Sequence, residues 1–228
     1  LVTPLDKGKI FSKEMFSEDQ KMFAQAAYDY AITRMKPVKD QLKELNKELT
    51  LEIIKELGEM GFLGVDIPEE YGGSDAGTMG MVMAIEELGK IDQSVATTLQ
   101  AHLTIGSLPF LQFGTEEQKK KWLTPLAKGE HLGAFGLTEP QAGSDLGRLT
   151  TRAVPEGDHY RLAGQKIFIT GGEHDWTSNI IHLVLARLPD APEGSAGISL
   201  FLVPKFLVNS DGSLGARNDL RCVYIEEK

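Results

Sequence analysis

Small polar residues and glycines gather in the stretch Phe135–Asp145, which runs Phe-Gly-Leu-Thr-Glu-Pro-Gln-Ala-Gly-Ser-Asp. The apolar run from Gly133 to Leu137 just overlaps it and predicts a strand that enters a core. Pro140 then ends the pairing, because proline has no N–H to donate to a neighbouring strand. The stretch is therefore predicted to be a strand followed by a turn.

The turn has the chemistry of a binding hollow. Gly143 and Ser144 carry little side-chain bulk, so a bound group can approach the backbone closely. Successive backbone N–H groups, together with the hydroxyls of Thr138 and Ser144, predict a donor-rich hollow that suits a phosphate or the polar edge of a ring. The alternative interpretation of the same residues is a plain polar turn between two strands.

Composition narrows the classes of function. The chain has 228 residues, 41% hydrophobic and 25% charged, which predicts one large or two modest globular domains. A net charge of −9 argues against nucleic acid or an anionic membrane as the main partner. The single Cys222 predicts a reducing compartment, either the cytoplasm or the mitochondrial matrix of a eukaryote. The chain begins with Leu, which we interpret as trimming or a partial sequence.

Helical periodicity dominates the first 130 residues. Residues 1–12 are expected to be an irregular arm, and residues 62–67 a short extended piece. Pro37 is expected to end the first helix, Gly61 the second, and a Thr115/Gln118 capping box to open the last. The predicted helices are Ser17–Met35, Thr50–Met60, Thr78–Leu88, Ser94–Ile105 and Glu116–Lys128.

From His131 onward, short β-type runs alternate with turn residues. This spacing suits a small barrel or sandwich. We therefore expect an α+β chain with an all-α N-terminal domain at 1–130 and a β-barrel or sandwich domain at 131–228. Besides the strand entering the turn, the candidate strands are Leu149–Val154, Tyr160–Ala163, Gln165–Thr170, Asn179–Ala186, Gly197–Val203 and Leu220–Ile225.

Several common catalytic signatures are missing from the sequence. There is no GxGxxG after a strand, no Walker A, no HExxH and no GxSxG. The histidines at 102, 131, 159, 174 and 182 show no metal-ligand spacing, so each is interpreted as a surface or hydrogen-bonded residue.

Four segments, in order along nearly all of the chain, resemble the acyl-CoA dehydrogenases. Any one of them alone is a weak signal, and the four together are a strong one. They are Gly64–Gly73 (GVDIPEEYGG), Phe113–Gln118 (FGTEEQ), Leu137–Asp145 (LTEPQAGSD) and Gly164–Thr170 (GQKIFIT).

The resemblance implies an FAD enzyme that dehydrogenates the α,β bond of an acyl-CoA thioester. In such enzymes a carboxylate base removes the α-proton while the β-hydride passes to flavin N5. The resemblance also implies an electron-transfer flavoprotein as electron acceptor and a homodimer or homotetramer. The alternatives are an acyl-CoA oxidase with the same cofactor site, and a non-catalytic module that binds flavin or acyl-CoA.

The resemblance implies a role for each residue at the matched positions. Thr138 would bond the flavin edge, Thr170 would reach the N5 region, and Phe168 stands where the family usually has Trp beside the flavin. Gly143 and Ser144 would meet the FAD pyrophosphate or the CoA pantetheine. Ordinary strand alternation is the alternative for Phe168 and Thr170. The residues assigned to the cofactor are Phe135, Leu137, Thr138, Gly143, Ser144, Phe168 and Thr170.

The acyl chain is expected to lie along the predicted helix Ser94–Ile105, whose Thr97, Thr98, Ala101 and Ile105 leave room for it. A fully packed core helix is the equal alternative. Ser144, Thr98 and Ala101 are the predicted substrate contacts.

Two further expectations complete the resemblance. Gly171–Asp175, Leu183–Asp190 and Phe201–Phe206 resemble the branch that acts on methylmercaptopropionyl-CoA. The family's C-terminal four-helix domain, which supplies its general base, is expected to be absent, and the β domain to be incomplete at its end. We assign no catalytic base and expect the 228 residues alone not to dehydrogenate acyl-CoA.

Overall fold

The computed structural model describes residues 15–44 and 46–225, so the predicted arm at 1–12 lies outside the described residues. Helices fill the first part of the chain. They are α1 (Glu18–Tyr30), α2 (Lys39–Lys43), α3 (Lys47–Glu59), α4 (Gly77–Gly89), α5 (Gln93–Ala101), α6 (Leu108–Phe113) and α7 (Glu116–Ala127). No helix in this described part combines the length and the apolar composition that a membrane crossing requires.

The helix starts follow from capping residues. Ser17 opens α1 and Thr115 opens α7, each in a reciprocal capping box with the glutamine three residues later. The predicted start of α3 at Thr50 is wrong. Asn46 caps this helix by accepting the Leu49 N–H at 3.1 Å, while the Thr50 hydroxyl lies inside the first turn and bonds the Asn46 carbonyl.

Pro37 does not end the helical path of the first helix, as predicted. A wide π turn over Ala31–Met35 continues α1, and a 3₁₀ turn over Lys36–Val38 follows it into α2. Pro37 is tolerated because it occupies the first turn of the 3₁₀ segment, where its missing N–H is not needed.

The segment after α3 is also corrected. Gly61 terminates the helix as predicted, with a left-handed φ of 82°. Phe62–Gly64 then forms a 3₁₀ turn rather than an extended piece. Phe62, Leu63 and Val65 are all buried, whereas a strand would bury only alternate side chains.

The predicted end of the fourth helix at Ile105 is wrong. A π turn over His102–Ser107 joins α5 to α6, so one helical path runs from residue 93 to residue 113. The wide turn brings Gly106 against the backbone of Gly133. A Cβ built on Gly133 would lie 2.5 Å from the Gly106 Cα.

The second part of the chain is β-rich, as predicted. A five-stranded sheet has the order β1-β4-β2-β3, with β5 paired to β4, and β6 pairs with β7 in a separate ribbon. β1 runs parallel to β4, and β5 runs antiparallel to it. The strands are β1 (His131–Gly136), β2 (Arg152–Glu156), β3 (His159–Ala163), β4 (Asn179–Arg187), β5 (Ile198–Pro204), β6 (Phe206–Val208) and β7 (Leu214–Arg217).

Two predicted strands are absent from the described chain. Residues 165–170 form no strand, since Phe168 has φ 56°, outside the β region, and breaks the alternation. Residues 220–225 form none either, and β6 and β7 pair with each other instead. Val223 is 88% exposed there and meets no partner strand among the described residues.

Two apolar clusters form the core. The larger packs α1, α3, α4 and α5 together and takes in Leu132 of β1. The second joins α7 to Ile181 and Leu183 of β4. Helices end at Ala127 and strands begin at His131, while the domain limits 1–130 and 131–228 stay a prediction.

We predict that Gly133→Ala lowers the free energy of unfolding by about 1–3 kcal/mol, because the added Cβ forces the π turn away from β1. Gly89→Ala is the matched control, since its Cβ would meet Ala96 at an ordinary 3.5 Å. Urea unfolding of both variants measures the difference. Equal stability of the two would contradict the close approach.

Candidate functional site

A buried carboxylate, that of Glu139, holds the turn after β1 in place. One oxygen accepts hydrogen bonds from the Lys166 ammonium at 2.8 Å and from the Thr151 N–H at 3.1 Å. The other accepts the Thr150 N–H at 2.7 Å and its hydroxyl at 2.8 Å. Glu139 is only 2% exposed. The side chain therefore joins three segments that are distant in the chain.

The environment keeps this carboxylate charged. Burial alone would raise the pKa of Glu139, but the bonds from Lys166, Thr151 and Thr150 outweigh it and hold the pKa well below its usual range. Lys166 also donates to the Leu137 carbonyl at 3.1 Å. Glu139 is thus a structural anion rather than a proton acceptor at neutral pH.

This anchor places the two predicted binding segments side by side. The Ile167 N–H donates to the Thr138 carbonyl at 2.9 Å. Next to it, Phe168 combines a positive φ of 56° with a ring that is 74% exposed. Such a strained and exposed aromatic residue is a feature of ligand sites. Its backbone conformation costs free energy, and an exposed ring gains too little packing to offset that cost.

Three hydroxyls in these two binding segments are free. Those of Thr138, Ser144 and Thr170 make no hydrogen bond with any described residue. Gly143 faces Thr138, since a Cβ on it would lie 4.0 Å from the threonine methyl group. An exposed aromatic ring beside unpaired hydroxyls fits a flat heteroaromatic group with polar atoms at its edge.

A cleft lies between α5 and the loop that follows Thr170. Its cavity volume is about 10 Å³, room for about one water molecule, and it is partly open to solvent. Thr98 and Ala101 line it from α5, and Thr170, His174 and Trp176 line it from the loop. The structure thus brings two predicted substrate residues and one predicted cofactor residue to a single cavity.

Other predicted residues lie elsewhere. Thr97 and Ile105 do not line the cleft and are exposed. Phe135 packs on the apolar cluster of α7 and β4, and Leu137 is half-buried. α5 is both core helix and cleft wall, because it buries residues such as Leu99 on the opposite side.

Sequence reasoning missed His102, which ties the cleft helix to β1. Its Nδ1 accepts the Gly133 N–H at 3.2 Å, and its Nε2 lies 3.1 Å from the Leu63 carbonyl and 3.2 Å from that of Leu126. Complete burial lowers the pKa of His102 to about 4, so the ring is neutral and Nε2 carries the proton. No local sequence signal marks this role.

Two known family models match the two parts of the chain. The model of the acyl-CoA dehydrogenase N-terminal domain matches residues 17–130, and that of the acyl-CoA dehydrogenase middle domain matches residues 134–219. The chain belongs to the acyl-CoA dehydrogenase family.

Individual members of the acyl-CoA dehydrogenase family are similar over most of the chain. A short-chain specific acyl-CoA dehydrogenase of Clostridium acetobutylicum is 38% identical over 83% of this chain and 48% of its own length. The 3-methylmercaptopropionyl-CoA dehydrogenase of Ruegeria pomeroyi is 45% identical over 75% of this chain and 29% of its own. The chain therefore spans about half, or less, of the length of these relatives.

A solved structure of the family has the same fold. The acyl-CoA dehydrogenase of Bacillus anthracis, complexed with FAD, superposes with a TM-score of 0.76 and 36% identity. The match covers 86% of this chain and 32% of the other.

We predict that Glu139→Gln lowers the free energy of unfolding by about 3–5 kcal/mol, because it leaves the Lys166 ammonium buried without its counter-ion. Glu156→Gln is the matched control, as it breaks an exposed pair with Arg161 and should cost about 1 kcal/mol or less. Chemical denaturation reports both values. A loss in E139Q no larger than in E156Q would show that Glu139 is not the anchor.

We also predict an acid-sensitive stability. The pKa of His102 falls from 6.5 to about 4 on folding. The neutral ring therefore makes its full contribution to the free energy of unfolding above pH 6.5, and this contribution is lost as the pH falls toward 4. The loss amounts to roughly 3 kcal/mol over that window. His102→Gln cannot acquire the charge, so its free energy of unfolding should depend less steeply on pH. Parallel slopes for the two proteins would refute this assignment.

Proposed function

We propose that this chain is the N-terminal and middle part of an FAD-dependent acyl-CoA dehydrogenase, with a helical domain at 1–130 and a β domain at 131–228. The observation that carries the proposal is the cleft, where Thr170 meets Thr98 and Ala101. A cofactor beside Thr170 and an acyl chain beside α5 would then be neighbours, as dehydrogenation requires. Membership of the family supports this arrangement.

The residues present fit FAD. Phe168 has an exposed aromatic ring that would meet the ring system, and the free hydroxyls of Thr138 and Thr170 would bond its polar edge. Leu137 adds apolar contact, while Gly143 and Ser144 leave room and donors for the pyrophosphate. Bound FAD supplies a two-electron acceptor for the hydride, and hydroxyl donors stabilise the charge that it gains. Phe135 belongs to the supporting core of this site.

The substrate would be an acyl-CoA thioester. Ala101 and Thr98 have short side chains, so the acyl chain would lie against them on α5, and Ser144 would meet the CoA part. The 45% identity to a 3-methylmercaptopropionyl-CoA dehydrogenase supports a short chain that carries sulfur. By family resemblance, the partners are an electron-transfer flavoprotein and further copies of the protein, in a homodimer or homotetramer.

Neither of two acidic residues beside the site suits the role of base. Glu139 is held charged by its bonds, and Glu173 pairs with both Lys205 and Arg217. Burial raises the pKa of Glu173, but these two cations lower it further than burial raises it. A carboxylate with a lowered pKa is a weak proton acceptor, so we assign the base to neither residue.

We predict that Thr138→Val and Thr170→Val each weaken FAD binding by roughly three- to tenfold, because each removes one hydrogen bond without changing side-chain volume. Thr33→Val is the matched control, since its hydroxyl bonds the Asp29 carbonyl within the first helix. Titration of the full-length protein with FAD, followed by flavin fluorescence, gives the affinities. No binding by the unaltered protein would refute the proposed function, and affinities equal to the control would refute the two contacts.

A further inference from the structure

One polar atom of the cleft has no role in the site described so far. His174 lines the cavity opposite α5, and its Nε2 is buried without a hydrogen-bond partner among the described residues. A buried unpaired donor or acceptor costs about 1–3 kcal/mol, so such an atom is kept where a ligand completes it.

The hydrogen bond of the other ring nitrogen shows which nitrogen of His174 carries the proton. Its Nδ1 accepts the Trp176 N–H at 3.3 Å, so this nitrogen is unprotonated. Burial, followed by the nearby charge of Lys205, lowers the pKa of His174 to about 4, so the ring is neutral at physiological pH. The proton of the neutral ring therefore sits on Nε2, a buried donor of a residue that lines the cleft.

The imidazole ring of His174 is also held in a fixed orientation. It stacks on Trp176 with the centroids 4.9 Å apart and the planes 10° from parallel. The Lys205 ammonium donates to the His174 carbonyl at 2.8 Å and pairs with the Glu173 carboxylate, which Arg217 also contacts at 3.2 Å. The donor is thus pre-organised, and ordering it on binding costs little free energy.

Apart from the free hydroxyl of Thr170, the side chains that line the rest of the cleft are mostly apolar or already paired. Ala101 and Leu132 present methyl and methylene groups, and the Thr98 hydroxyl already donates to the Ser94 carbonyl at 2.9 Å. A plain hydrocarbon chain in the cleft would leave the Nε2–H unsatisfied. A chain with an acceptor atom at that depth would satisfy it.

We propose that His174 is a specificity-determining residue. Its Nε2–H donates a hydrogen bond to an oxygen or thioether sulfur within the acyl chain of the CoA thioester, and thereby favours such chains over hydrocarbon chains of the same length. This inference rests on the proposed function, because it needs an acyl chain in the cleft.

Two substitutions separate the donor from the rest of the ring. In His174→Asn, the amide oxygen takes over the acceptor role of Nδ1 toward the Trp176 N–H, and no group replaces Nε2. In His174→Gln, the longer side chain places an amide N–H near the position of Nε2. His159→Asn is the control, since it makes the same change on an exposed histidine of β3.

The test compares three CoA thioesters with acyl chains of equal length on the full-length, FAD-loaded protein. These are pentanoyl-CoA, 3-methoxypropionyl-CoA and 3-(methylthio)propionyl-CoA, and calorimetric titration gives each dissociation constant. We expect His174→Asn to lower the preference for the methoxy chain over pentanoyl by roughly three- to tenfold, with a smaller change for the weaker sulfur acceptor. His174→Gln and His159→Asn should keep the preference.

A second readout does not depend on turnover. ¹⁵N spectra of histidine-labelled protein report which ring nitrogen is protonated, and the Nε2 signal of His174 should shift more with the methoxy chain than with pentanoyl. An unchanged preference in His174→Asn, with CoA thioesters still bound, would overturn this role and leave the proposed function intact. Absence of both FAD and CoA thioester binding would refute the proposed function and this inference with it.

Discussion

The site depends on one buried charge, the carboxylate of Glu139. It lies at the turn after the first strand and accepts hydrogen bonds from Thr150, Thr151 and Lys166. These partners come from the entry to the second strand and from the segment before Phe168. Without the carboxylate, the two binding segments would keep the bond from the Ile167 N–H to the Thr138 carbonyl and that from the Lys166 ammonium to the Leu137 carbonyl. A charged anchor is costly to bury, and here the cost is offset by bonds to both oxygens.

A second constraint connects the sheet to the helices. Gly106 and Gly133 touch backbone to backbone, and the neutral ring of His102 bonds the same strand at Gly133. The π turn over His102–Ser107 carries both His102 and Gly106 to this strand. The wall of the cleft formed by Thr98 and Ala101 is therefore fixed relative to Thr170.

Strain and unsatisfied groups gather at the same place. Phe168 has a positive φ and an exposed ring, the Thr138 and Thr170 hydroxyls are free, and the Nε2 of His174 is buried unpaired. Apart from Asp66 Oδ1, the other buried side-chain oxygens and nitrogens of the described residues have partners, so this grouping fits a surface completed by ligands. The family's flavin and thioester chemistry supplies ligands of the matching shape and polarity.

The sequence by itself determined the local elements and the family. Capping residues such as Ser17 and Thr115 act within one turn, so the helix starts they mark were predictable, as was the long apolar strand at 179–187. The motif segments also pointed to Thr138 and Thr170. Only the tertiary structure decided the burial of Glu139, because its ammonium partner lies 27 residues away. The same holds for the cleft and its donor, since hydrogen-bond satisfaction depends on contacts between segments that no local pattern encodes.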